Sequence, residues 1–144
     1  ISSTQHFLKV HLENNMKIDL KGDEEMDAIT GYAMNLLTLG LIMQERISEE
    51  DKEFKRLLVE IKNNGKPANY CRINEVFNIR NNEIYMLKEA IDSLIERVNS
   101  RAIADSLRLI REELAELAIN RLCFQTDFQG YLFCPAINRP ETSI

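Results

Sequence analysis

Carboxylates are the residues best spaced for chemistry in this chain. Glu49-Glu50-Asp51-Lys52-Glu53 has the form EExxE, and Glu89-Ala90-Ile91-Asp92 has the form ExxD. Side chains three or four apart share a helix face, so each motif would align oxygen ligands suited to Mg²⁺. A further EExxE, Glu112-Glu113-Leu114-Ala115-Glu116, has no ExxD after it. Other catalytic sets are incomplete. His6 and His11 fall on different sides of a helix instead of at the i, i+4 spacing of a metal pair. There is no Gly-rich phosphate loop, and Cys71, Cys123 and Cys134 do not follow metal-ligand spacing.

The first two acidic motifs together resemble the all-α nucleotide pyrophosphohydrolases of the MazG and dimeric dUTPase type. The resemblance implies Mg²⁺ held by Glu50, Glu53, Glu89 and Asp92, with Glu49 in support, and hydrolysis of a nucleoside triphosphate. A plainer reading competes with it. Glu49 and Glu50 directly follow Ser48, a natural helix cap, where the macrodipole alone favours acids. On that reading the acids are solvated helix faces with no metal or cofactor, and the Mg-dependent enzyme is the alternative.

Composition narrows the partners. The chain carries 18 basic and 23 acidic residues, a formal charge of -5, with a pI near 5.1. Binding through phosphate neutralisation needs clustered Lys and Arg, so no nucleic-acid partner is expected. Arg80, Asn81 and Asn82 could open a recognition helix, but Glu83 and Glu89 follow at once. From Ala28 to Gln44 no residue is charged, yet Thr30, Asn35 and Thr38 interrupt the stretch, so no membrane span is expected either. Three cysteines fit reduced thiols and a cytoplasmic location. Because the chain opens on Ile1 and not on Met, a secreted helical ligand with a Cys123–Cys134 pair stays open as an alternative.

The elements that must position these residues are mostly helical. At 144 residues the chain suits a single domain over 1–144, burying roughly 70% of its unfolded surface. Apolar residues make up 44% and charged residues 28%, ordinary globular values. Ile84, Leu87, Ile91, Leu94 and Val98 alternate three and four apart, and Ile103, Leu107, Ile110, Leu114 and Leu117 resume the pattern. The step across Asn99-Ser100-Arg101 breaks that stripe, which predicts a tight reversal or a kink. Upstream, the pattern predicts a short helix over 3–12, a strand over 16–21, a helix from Asp23 to about Glu45, and another starting at Ser48. Asn63-Asn64-Gly65-Lys66-Pro67 should end that helix, with Ala68–Ile79 a short helix or connector. Aromatics from Cys123 to Cys134, with Asp127 and Gly130 between them, predict a hairpin, followed by an extended tail over 135–144.

The expected fold is therefore all-α, a bundle of four to five helices with a small C-terminal β-hairpin. The expected function is non-enzymatic: an interaction or regulatory protein acting through a helical face and associating with itself, most simply as a homodimer. The segment from Tyr32 to Met43 is apolar nearly all round, which nominates Tyr32, Leu36, Leu39 and Met43 as the interface.

Overall fold

A computed structural model describes residues 23–65 and 70–130. They form three helices: α1, Asp23–Asn64; α2, Tyr70–Ile95; and α3, Arg101–Gln129. No strand occurs among the described residues.

α1 is one helix of 42 residues, about 63 Å at 1.5 Å per residue. Its continuity follows from an unbroken inner stripe: Ile29, Ala33, Leu36, Gly40, Met43, Ile47, Glu50, Phe54, Leu58 and Ile61 step three or four residues throughout. The expected break at Ser48 is thus a correction. Ser48 is an exposed mid-helix residue, and the acids after it continue the stripe instead of opening a new helix. α1 ends at Gly65, whose φ of 82° is the left-handed conformation that glycine takes without strain. Its N–H donates to the Ile61 carbonyl at 2.6 Å.

α2 takes in the ambiguous segment from Tyr70 onward, because Ile73, Phe77 and Arg80 already lie on its buried side. The predicted interruption is a reversal. α2 ends at Ile95, and α3 begins after Ser100, whose hydroxyl accepts from the Ile103 N–H at 3.4 Å.

The hairpin is the second correction. Cys123 to Gln129 continue α3, since Arg121, Phe124, Gln125 and Phe128 keep the three-four rhythm of Leu114 and Leu117. Gly130 follows the last helical turn and is not the tip of a β-turn. With two expected helices fused and no hairpin, the bundle among the described residues has three helices, fewer than four to five. The expected helix over 3–12, the strand over 16–21 and the tail over 135–144 lie outside the described residues.

Ion pairs fix the directions. Glu25 pairs with Arg97 and Glu50 with Arg80, so α2 runs antiparallel to α1. Gln44 bonds Glu113 and Asp51 bonds Arg121, separations of 69 and 70 residues, so α3 runs parallel to α1. One apolar cluster joins Ile29, Leu36, Met43, Leu87, Ile91 and Leu107 with their neighbours. A second joins Phe54, Ile61, Ile73, Phe77 and Phe128.

Gly40 of α1 lies close against Ile110 of α3. A Cβ there would lie 2.5 Å from Ile110 Cγ2, the branch of a side chain that is stiff in a helix. Gly40→Ala gains about 1 kcal/mol of helix propensity but meets an overpacking cost of about 1–3 kcal/mol, so a net loss is expected. Urea unfolding of a double-mutant cycle checks this. In an Ile110→Ala background the same substitution should become stabilising, and an unchanged sign would show that the contact is not limiting.

Candidate functional site

Between the two apolar clusters all three helices contribute charge to one layer. Glu50 and Asp51 come from α1, Arg80 and Glu83 from α2, and Arg121 from α3. Arg80 forks onto Glu50, with Nε 3.1 Å from both oxygens and Nη2 2.5 Å from Oε2, and its Nη1 bonds Glu83. Arg121 donates to Asp51 at 2.6 Å and to Glu50 at 3.0 Å. Its guanidinium also lies 4.6 Å from the Phe77 ring centre and 5.6 Å from that of Phe54. Arg121 and Glu83 are buried to 1% and 0% exposure. Burial alone would lower the Arg80 pKa, but the carboxylates of Glu50 and Glu83 outweigh it and hold that pKa above the ordinary value.

Amides extend the layer toward the aromatic end. Asn81 donates to Gln125 at 3.0 Å, and Gln125 donates to Asn78 at 3.1 Å. The Asn74 and Asn81 carbonyl oxygens and Arg121 Nε are buried without a partner. Every acid of this layer faces an arginine that is fully charged at any physiological pH. Its chemistry is one of charge pairing and fixed orientation.

The proposed metal ligands are dispersed. Glu50 belongs to the layer. Glu53 is exposed and bonded to Arg56, whose hydrogen bond lowers its pKa. Glu89 accepts from the Tyr85 hydroxyl at 3.0 Å, which raises the Tyr85 pKa. Asp92 holds Arg111 of α3, whose pKa rises through that hydrogen bond. Asp92 lies about 18 Å along α2 from the Arg80 level where Glu50 sits. Among the described residues no three His, Cys, Asp or Glu gather closely enough to hold a metal ion. Glu113 and Glu116 of the second EExxE line a cavity of about 340 Å³ between α1 and α3 with Gln44, Leu117 and Asn120. Cys123 is exposed on α3, and Cys134 lies outside the described residues.

No protein family, curated protein or solved structure matches this chain. What its surface can do is read from geometry.

The four nominated interface residues face inward. Leu36 and Met43 are buried in the first cluster, and Tyr32 and Leu39 pack half-buried against it. The opposite side of the same helix is exposed and uncharged: Met34, Leu41 and Ile42 are 50%, 60% and 48% exposed. Thr38, between them, turns its hydroxyl back to the Met34 carbonyl at 3.0 Å, which satisfies its polar group within the helix. Gly31 shares this face, and a Cβ added there would meet nothing within 4 Å. Sequence periodicity missed the distinction because apolar residues occupy both sides of the helix. Arg80 and Arg121 were missed for another reason. A basic residue on a core stripe looks like a lapse in the pattern until its acids arrive from other helices.

α1 also contains an 18-residue window of mean hydropathy 1.3, of which 28% is buried within the bundle. It is the one helix among the described residues long and apolar enough to cross a membrane. Its inner stripe, however, is occupied by contacts to α2 and α3.

Proposed function

We propose that this chain is a non-enzymatic interaction protein that associates with itself through the outward face of α1. The observation that carries the reading is the exposure of Met34, Leu41 and Ile42 on a stretch without a charge from Ala28 to Gln44. Exposed apolar residues scattered singly need no explanation, whereas an apolar face on an acidic molecule marks a contact surface. Burying it against a second copy removes it from water, at roughly 25 cal/mol per Å² of apolar area. The charged layer serves this function by holding α1 in one orientation, so that the apolar face stays outward.

Light scattering with size exclusion tests the proposal. The wild-type chain should elute as a dimer, and Leu41→Glu should be monomeric with unchanged helicity, because Leu41 lies outside both core clusters. Leu36→Glu should instead unfold the bundle. A wild-type chain that stays monomeric at several hundred micromolar would sink the reading.

A further inference from the structure

We infer that the second copy packs antiparallel, α1 against α1, along the stripe Gly31, Met34, Thr38, Leu41 and Glu45. The inference rests on the self-association proposed above and adds the occupant's direction and register. These five residues are all exposed and follow one another at three-four spacing, the repeat that lets two helices interlock. Charge chooses between the two directions. In a parallel pair Glu24, Asp27 and Glu45 would each lie beside its own copy, three rows of like charge on a chain of net charge -5. In an antiparallel pair centred on Thr38, Glu45 lies beside Gly31 of the second copy. Met34 then meets Leu41 of the second copy.

At the ends of the contact Lys52, exposed on the same side of α1 and 3.9 Å from Glu49, comes level with Glu24 of the second copy, which offsets Glu49 coming level with Asp27; a parallel pair would set every one of these charges beside its own like. The glycine also finds a use. A mid-helix glycine lowers helix stability, and nothing within the chain occupies the space beside Gly31. Across an antiparallel contact that space receives the Glu45 side chain, whose stem packs while its carboxylate reaches the rim.

Cysteine cross-linking reads the direction, in a chain whose Cys71, Cys123 and Cys134 are changed to Ser. A mixture of Met34→Cys and Leu41→Cys chains should cross-link, and Met34→Cys alone should not. Rapid self-linking of Met34→Cys would indicate parallel helices and overturn the inference. Charge exchange supplies a second reading on exposed residues that leave folding intact. Lys52→Glu and Glu24→Lys should each weaken self-association by about tenfold, and mixing the two chains should restore it. A dimer by light scattering that shows neither effect would refute this geometry while leaving self-association standing. A monomer that floats with phosphatidylcholine vesicles would overturn both, because the apolar face would then belong to lipid.

Discussion

Arg121→Ala should cost the bundle about 3–5 kcal/mol, the expected price of breaking a buried ion pair from one side. The substitution removes the 2.6 Å bond to Asp51 and the 3.0 Å bond to Glu50, and it withdraws a cation from the Phe77 ring. Glu50 keeps Arg80, so Asp51 is the carboxylate left exposed to the loss. Guanidinium unfolding at pH 7 measures the change. Arg121→Lys should recover only part of it, because one ammonium cannot fork between two carboxylates over a ring. Arg121→Met with Asp51→Leu should recover most, since an apolar replacement of both partners leaves no stranded charge. A loss below about 1 kcal/mol for Arg121→Ala would mean that the layer contributes little beyond orientation.

Phe77→Ala should be similarly damaging, at about 3–5 kcal/mol. Phe77 is fully buried, with ring centres of Phe54, Phe124 and Phe128 at 4.7, 5.7 and 5.7 Å. Three helices converge on this one side chain, so the cavity left behind cannot collapse by moving a single neighbour. Because Phe77 also carries the Arg121 guanidinium, the two alanine substitutions share a contact and should be less than additive by at least about 0.5 kcal/mol. Thermal melts of the single and double variants decide this. Strict additivity would show that the ring and the guanidinium act independently.

The contrast between these residues and the sequence pattern explains what could be read in advance. The stripes through Leu87, Leu94, Leu107 and Leu114 were legible because each position is apolar and lies on a core face. The reversal at Asn99-Ser100 was legible because the stripe loses its phase there. Glu50 and Asp51 misled for a physical reason. A helix dipole and a distant arginine both attract acids, and only the second is at work, through partners 30 and 70 residues away. The C-terminal aromatics misled similarly. Phe124 and Phe128 are common in strands, but their spacing is helical, and the ring cluster with Phe54 and Phe77 fixes them in a helix. As for the surface of α1, hydrophobicity alone located the segment but not the side that remains uncovered.

The nearly constant separation of α1 and α3 partners has a consequence for how this chain can vary across descent. Inserting or deleting one residue between Ile110 and Arg121 would rotate everything beyond it by about 100°, swinging Arg121 and Phe128 away from α1. Changes of length in the connections after Asn64 and after Ile95 turn no helix in this way, because α1 and α3 grip each other directly, although a change after Ile95 would also have to keep the Arg97–Glu25 pair and the Ser100 cap. Lineages that share this bundle should therefore differ in length at those two connections and keep the helical stretch from Gly40 to Asp51 in step with that from Ile110 to Arg121.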